Sequence, residues 1–321
     1  MNPSPAAAPD SPERGAARTA GARGRRWTPP WPLDLARTVG VLRRGPGDPA
    51  FRTEPDGSVW RASRTPLGPG TLRLARLRTS EVEAHAWGPG AEWLLDGVPA
   101  LCGAEDEPER FTPRHRPVYE AHRRHPGLRL GRTGLVLESL IPSVLEQKVT
   151  SDEAYRAWRI LLRRHGEPAP GAGHMRVMPD PRGWVTLPSW EWHAAGVDGK
   201  RSAAIVRAAR VARRLEEVTA MHLAAASARL QLIPGIGPWT AAEVLQRSNG
   251  AADAVTVGDL HLPGIVGYAL TGARGTDDAR MLELLAPYAG QRHRACRLIL
   301  LSGRVPPRRA PRFPVGDIRR L

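Results

Sequence analysis

Cysteine is almost absent from this chain of 321 residues, which contains only Cys102 and Cys296. Two cysteines cannot build a disulfide framework, a cysteine-rich zinc site or a four-cysteine iron–sulfur cluster. No run of about 18 apolar residues occurs, so no membrane-spanning helix is predicted. The first residues also lack the apolar segment of a secretory signal. These absences predict a soluble protein of a reducing compartment, the cytoplasm.

Lysine is also scarce, because only Lys148 and Lys200 occur among the 47 basic residues. The formal net charge is nevertheless +15, since the acidic residues number only 32. Such an excess favours a polyanionic partner. Abundant Arg, Ala, Gly and Pro are also typical of GC-rich coding, so the charge alone does not decide the partner. The histidines are scattered without metal-ligand spacing, and no metal site is predicted.

The composition changes along the chain and predicts an α+β protein with a larger helical part. A disordered basic tail is predicted for residues 1–30, because apolar periodicity is missing there. A small β-rich domain with some helix follows over 31–125, and a mainly helical domain covers 126–305. The last residues, 306–321, are again polar and basic. No internal repeat is present.

Short signals give the secondary structure of the β-rich part. The Asp56-Gly57 pair between FRT and VWRAS predicts a β-hairpin. Thr71–Thr79 alternates leucine with arginine, as a half-buried strand does. Any helix in this part is expected around EVEAHAW and GAEWLL.

Apolar residues at helical spacing mark the second part. The first helix is predicted in LVLESLIPSVLEQKV. Further helices are predicted at Asp152–His165, Lys200–Glu217, Thr219–Leu232, Pro238–Arg247 and Asp278–Leu301.

The stretch LQLIPGIGPWTAAEVL breaks one helix and starts the next within a few residues. Gly235 and Gly237 let the backbone bend and approach another molecule closely, while Ile236 can anchor the turn. Pro238 suits a first helical position. The free amides at this helix start form an anion site, for which a phosphate is the natural ligand. The pattern resembles the helix–hairpin–helix element of DNA-binding proteins, although a glycine-rich turn can also be a simple connection.

A second motif, DAVTVGDLHL, places Asp259 22 residues after Gly237. Together the turn, the helix, the loop at 248–258 and this aspartate resemble the helix–hairpin–helix/Gly-Pro-Asp superfamily of DNA glycosylases. The most similar branch is bacterial 3-methyladenine glycosylase II, with its PGIGPWTA and G-D-L-x-L motifs. The segments SVLEQKV and GVDGKRSAAIVRAA add to the likeness, which covers 126–305 well and 31–125 weakly.

The resemblance implies a base-excision enzyme that hydrolyses the N-glycosidic bond of a damaged, alkylated base flipped out of DNA. Asp259 is then the catalytic carboxylate, because breaking that bond builds positive charge on the sugar. A base pocket is expected at Trp239, Glu243 and Leu300. The expected DNA contacts lie in the turn and in two helix segments, with Lys148 a candidate wedge for the gap in the duplex: Gly235, Ile236, Gly237, Thr240, Gln147, Lys148, Lys200 and Arg201.

Further expectations follow from the same resemblance. Relatives that also nick DNA use a lysine at the start of the second hairpin helix, where this chain has Trp239, so a monofunctional enzyme is predicted. No cofactor is expected apart from a monovalent cation on hairpin carbonyls around Ile233 and Ile236. The predicted partner is double-stranded DNA, bound by a monomer at the bacterial nucleoid, with no membrane.

The departures from the branch fall at the base pocket. Glu243 replaces a frequent tyrosine, AGQRHRA replaces an aromatic-rich segment, and Leu300 replaces a tryptophan. Trp239, Trp190 and Trp192 are candidates to compensate, with a core role equally open. Aromatic rings suit cationic alkylated bases. An oxidised or deaminated base, a non-catalytic or attenuated DNA-binding protein and an RNA-binding regulator therefore remain open alternatives.

Overall fold

A computed structural model describes residues 21–77 and 81–307 of the chain. The fold is α+β, as predicted. Its main sheet has five antiparallel strands in the order β1-β5-β4-β3-β2. The strands are β1 Arg23–Trp27, β2 Phe51–Thr53, β3 Val59–Thr65, β4 Gly68–Arg76 and β5 Val82–Trp87.

The predicted hairpin at Asp56-Gly57 and the strand within Thr71–Thr79 are confirmed as β2–β3 and β4. The prediction of helix around EVEAHAW is wrong, because Val82–Trp87 is β5 and lies between β1 and β4. Its buried residues alternate at a period of two, which is the period of a strand with one face in the core. The helix predicted in GAEWLL is confirmed at Ala91–Asp96.

The folded part begins earlier than predicted. Strand β1 lies inside the predicted 1–30 tail and pairs with β5 along its whole length. Ion pairs of Arg23 with Glu92 and of Arg25 with Asp96 hold this edge strand to the helix at Ala91–Asp96. The tail boundary at residue 30 is therefore wrong. Residues 1–20, and the C-terminal tail from residue 308, lie outside the described residues.

Fifteen α-helices occur in the described part of the chain. None of these helices has the length and apolar character needed to pass through a bilayer. They are α1 Leu35–Val39, α2 Ala91–Asp96, α3 Val98–Leu101, α4 Arg116–Arg124, α5 Val136–Leu145, α6 Ser151–His165, α7 Pro181–Thr186, α8 Ser189–Ala194, α9 Gly199–Arg210, α10 Ala212–Glu216, α11 Leu223–Gln231, α12 Pro238–Ser248, α13 Leu262–Thr271, α14 Asp278–Leu285 and α15 Arg292–Leu301, with a small hairpin β6 Glu167–Ala169 and β7 Ala172–Val177 between α6 and α7.

The predicted helices are found, but two of them are divided. The segment Asp278–Leu301 contains α14 and α15, separated by a 3-10 turn at Ala286–Tyr288 and by Gly290 with φ +87°. The segment Lys200–Glu217 contains α9 and α10. Helix α13 was not predicted, although Pro263 near its start and Gly272 at its end are ordinary helix boundary signals.

Packing crosses the predicted boundary at residue 125 in both directions. Helix α4 contributes Val118 and Ala121 to the core formed by α13, α14 and α15. The β6–β7 hairpin packs instead against the main sheet, where the stacked rings of Trp60 and Trp87 share a core with Met175. Every residue of α5 except Glu138 is buried, and Glu138 pairs with Arg61 of β3. Sheet and helices thus form one continuous structure around α5.

Candidate active site and nucleic-acid interface

The glycine-rich turn lies between α11 and α12, as predicted. Ile236 is buried and anchors the turn, whereas Gly235 is exposed. Gly235 has φ +99°, and a Cβ there would lie 2.8 Å from Cβ of Ala204 on α9, so this position requires glycine. Gly237 is the N-cap residue of α12, and no side chain caps this helix start. The amides at the start of α12 are therefore open to an external acceptor.

Substitutions at Gly235 and Gly237 can separate an effect on the close approach of DNA from an effect on folding stability. Gly237→Ala should leave stability within about 0.5 kcal/mol, because φ is −101° and a Cβ there meets nothing within 4 Å. It should still weaken duplex DNA binding about tenfold, since the methyl group would stand between backbone and phosphate. Gly235→Ala should lower the free energy of unfolding by about 1–3 kcal/mol.

Fluorescence anisotropy with a duplex and a denaturant titration measure the two effects. Gly173→Ala in β7, where a Cβ also meets nothing within 4 Å, is the matched control. Unchanged DNA affinity in Gly237→Ala would show that no phosphate lies against this turn.

Two polar side chains hold neighbouring segments to the turn. The amide Nε2 of Gln147 donates to the carbonyl of Gly235 at 3.0 Å and to the Thr240 hydroxyl at 2.8 Å. Arg207 donates to the carbonyl of Pro234 at 3.2 Å. Thr240 is buried. The structure therefore places Gln147 and Thr240 in the joint between the α5–α6 loop and the turn.

The predicted basic contacts fall into two groups. Lys148 is exposed, and with φ 55° it is the non-glycine residue with a left-handed backbone in the described part of the chain. Lys200, in the first turn of α9, is also exposed. Arg201 is buried, and its guanidinium donates to Asp198, to the carbonyl of Leu145 and to that of Gly196. Because these donations use much of its hydrogen-bonding capacity inside the protein, Arg201 has a structural role, and its contact with DNA stays a prediction.

Asp259 lies directly against the first turn of α12. Its Oδ2 accepts a hydrogen bond from the indole nitrogen of Trp239 at 3.0 Å. Its Oδ1 accepts from the amides of His261 and Leu262, each at 2.8 Å. The preceding Gly258 has φ +85°, and its amide donates to the carboxylate of Asp278. The carboxylate is therefore fixed from both sides of the loop.

These hydrogen bonds control the charge of Asp259. Burial raises the pKa of this carboxyl, but donation from the Trp239 indole and from the Leu262 and His261 amides outweighs the burial. The net result is a pKa below the ordinary aspartate value. Asp259 is therefore an anion at neutral pH.

Removing the indole donor should move this titration. In Trp239→Phe, one hydrogen bond to the charged form is lost, so the pKa of Asp259 should rise. A group with a depressed pKa keeps its charge until the pH falls to that value, so the variant should lose its carboxylate charge at a higher pH. Carbon-13 NMR of the aspartate carboxyls over an acid titration measures the shift. The exposed Trp190→Phe should leave the Asp259 curve unchanged.

A cavity of about 350 Å³ opens beside Asp259. The predicted pocket residues Glu243 and Leu300 line it, together with the apolar side chains of Leu130 and Ile265. The predicted pocket residue Trp239 is not among the lining residues, although its indole nitrogen donates to Asp259. Trp192 stacks on Trp184 in the core, and Trp190 is exposed. These tryptophans therefore do not replace the missing aromatic lining.

Among the lining residues on α15 that sequence reasoning missed are His293 and Arg297. They are four residues apart, so they share one helix face with Leu300. The resemblance already places AGQRHRA and Leu300 at the base pocket, and the i, i+4 spacing of His293 and Arg297 was the further visible signal. Burial and the nearby charges of Arg297, Arg247 and Arg294 lower the pKa of His293 well below its ordinary value, so its ring is neutral.

The other reactive groups of the cavity are already engaged or protonated. Glu243 accepts from Arg247 at 2.7 Å and from the hydroxyl of Thr256 at 2.9 Å. Burial raises the pKa of Cys296 to about 12, so this thiol is not a nucleophile at neutral pH. Asp259 is consequently the carboxylate in this cavity without a cationic side-chain partner among the described residues.

Comparison with solved structures gives matches over most of the chain. A 3-methyladenine DNA glycosylase from Archaeoglobus fulgidus aligns with a TM-score of 0.72 and 16% identity, covering 87% of this chain and 98% of that one. An 8-oxoguanine glycosylase/lyase from Clostridium acetobutylicum, bound to double-stranded DNA, aligns with a TM-score of 0.66 and 10% identity, covering 85% and 92%. The chain thus has the helix–hairpin–helix glycosylase fold expected from its motifs. No protein-family model matches it, and no curated protein sequence matches it either.

Proposed function

We propose that this protein is a DNA glycosylase that hydrolyses the bond between a flipped base and its deoxyribose. One observation carries the proposal: the 3.0 Å hydrogen bond from Trp239 to Asp259 joins the carboxylate to the helix that follows the glycine turn. A phosphate held by the open amides of α12 would bring its own sugar next to that carboxylate. The adjoining cavity then receives the base.

The proposed chemistry needs the charge of Asp259 and a water molecule. As the bond from C1′ to the base nitrogen breaks, its electron pair leaves with the base and positive charge develops on the sugar. Asp259 opposes that charge, and water adds to C1′ while its proton neutralises the departing base. The aliphatic side chains of Leu130, Ile265 and Leu300 line part of the cavity that would receive the base.

The absence of a lysine nucleophile supports a monofunctional enzyme. The two lysines of the sequence are Lys148 and Lys200, and neither lines the cavity. The position used by bifunctional relatives holds Trp239. Without an amine at C1′ no Schiff base can form, so strand cleavage should require alkali after base release.

The surface around the turn supports double-stranded DNA as the partner. Lys148 projects from the α5–α6 loop that Gln147 holds against the turn, and we propose that it fills the gap left by the extruded nucleotide. Its left-handed backbone is a local strain of a kind concentrated at functional sites. Lys200 would contact an adjacent phosphate. Hairpin carbonyls such as that of Ile233 are suitable ligands for a monovalent cation, which would stiffen the turn.

The proposal is tested by incubating the pure protein with duplexes that each carry one defined lesion, then heating in alkali. Strand breaks only after alkali treatment support a monofunctional glycosylase, and borohydride should trap no covalent complex. Tight binding with no breaks on any lesion would support the non-catalytic DNA-binding protein. Equal affinity for structured RNA at matched salt would support the RNA-binding regulator. The alkylated base implied by the resemblance is one member of this lesion panel.

A further inference from the structure

The side of the cavity formed by α15 carries the positive charge of Arg297, which has no ion-pair partner among the described residues. Two buried arginines near it are neutralised, Arg247 by Glu243 at 2.7 Å and Arg294 by Asp106. Arg297 lines the cavity and has no carboxylate partner in the described part of the chain. Within the described part of the chain, Arg297 donates one hydrogen bond, to the carbonyl of Arg37 at 3.1 Å. A guanidinium has five N–H donors, so most of those of Arg297 make no hydrogen bond within the described part of the chain.

The surroundings of Arg297 would make an electron-rich ligand favourable. Burial and the charges of Arg247 and Arg294 lower the pKa of Arg297 to about 10, so it is still a cation at neutral pH. The same repulsion among three guanidinium groups is relieved when negative charge enters the cavity. A cationic ligand would increase it.

Apart from Asp259, which the proposed function places beside the sugar, the cavity lacks the features that would hold a cationic base. None of the described side chains that line it belongs to Phe, Tyr or Trp, so no ring face is available for a cation–π contact. Both oxygens of Glu243 accept hydrogen bonds from protein groups, which leaves little capacity for an external cation. The neutral ring of His293 adds one donor and one acceptor without charge.

We infer that the cavity selects an uncharged base bearing an exocyclic carbonyl oxygen, to which Arg297 donates. This inference rests on the proposed glycosylase function. The same contact assists bond cleavage, because the electron pair of the broken C1′–N bond leaves on the base and delocalises onto that oxygen. Deaminated and oxidised bases share this chemistry. Arg297 is thus a specificity-determining residue, and alkylated bases that carry a positive charge are poor ligands.

Four duplex classes separate charge from the carbonyl group: uracil or hypoxanthine, 8-oxoguanine, cationic 7-methylguanine, and the neutral, oxygen-free ethenoadenine. Wild type should excise at least one of the first two classes at least tenfold faster, in kcat/KM, than 7-methylguanine and ethenoadenine. Comparing the rates for the first two classes shows whether the preferred base is a deaminated or an oxidised one. Preference for 7-methylguanine or ethenoadenine would overturn the inference and leave the glycosylase proposal standing. Alkali-labile sites on no lesion would overturn both.

Arg297→Met keeps the side-chain stem and removes the charge and donors. It should reduce excision of the preferred base by about 30-fold or more, while the Kd for a duplex with a tetrahydrofuran abasic analogue, which has no base, stays within twofold. Arg280→Met on the surface of α14 removes an equal charge as a control. Equal loss on all bases, or weaker binding to the abasic analogue, would show that Arg297 acts on structure or on phosphate rather than on the base.

Discussion

Asp259→Asn should lower base excision by about two to three orders of magnitude while DNA binding persists. Losing one preorganised group aimed at the charge of a transition state typically has an effect of this size. The carboxylate is ionised in the resting protein, because its hydrogen bonds hold the pKa down. Single-turnover release of the base from a damaged duplex measures the loss, and anisotropy with the abasic analogue measures binding.

The asparagine variant carries a local defect that needs its own control. Oδ1 can still accept from the amides of His261 and Leu262, but the new amide nitrogen would face the indole N–H of Trp239, donor against donor. Trp239→Phe with Asp259→Asn removes that conflict. If the double variant regains the activity of Trp239→Phe alone, the carboxylate charge is not needed and the proposed mechanism is wrong.

Breaking the Asp106–Arg294 pair should produce the largest loss of stability. Each side chain is only 2% exposed. Arg294→Met leaves a buried carboxylate whose remaining donor is the amide of Leu130, and the expected loss is about 3–5 kcal/mol in the free energy of unfolding. Urea denaturation followed by circular dichroism measures it. Arg116→Met, which breaks an exposed pair with Glu120, should change stability by less than about 1 kcal/mol.

A double variant distinguishes an unpaired charge from lost packing. Asp106→Leu with Arg294→Met removes both charges, so it should be more stable than either single variant. Full recovery is not expected, because the Leu130 amide and the Gln291 side chain lose their partners. A double variant as unstable as the sum of the two singles would mean that the charges do not interact.

Local features of the sequence were sufficient to locate one side of the candidate site. The glycine turn and Asp259 lie in short motifs whose residues determine their own backbone, such as Gly235 and Gly258 with positive φ. The fold class followed from the same motifs. Glu243 and Leu300, which were predicted for the base pocket, line the cavity beside Asp259.

The other side of the site depends on packing between distant segments. Arg297 and His293 come from α15. The family resemblance places Leu300 and AGQRHRA of this segment at the pocket, but it does not indicate which other side chains of the helix face the cavity. Arg201 has the sequence appearance of an exposed first-turn cation, yet tertiary contacts bury it. The error at Val82–Trp87 has the same origin, because this short segment is a strand only through its pairing with β1 and β4.

Helix α4 packs with the helical part, and the β6–β7 hairpin packs on the main sheet. This packing limits where the chain can be cut into stable fragments. A fragment beginning at residue 126 would lose α4 from the core behind α15, and with it part of the support for Arg297. It would also expose the surface of the β6–β7 hairpin that normally covers Trp60 and Trp87. The wall of the cavity and the packing of the sheet therefore each depend on segments from both sides of residue 125.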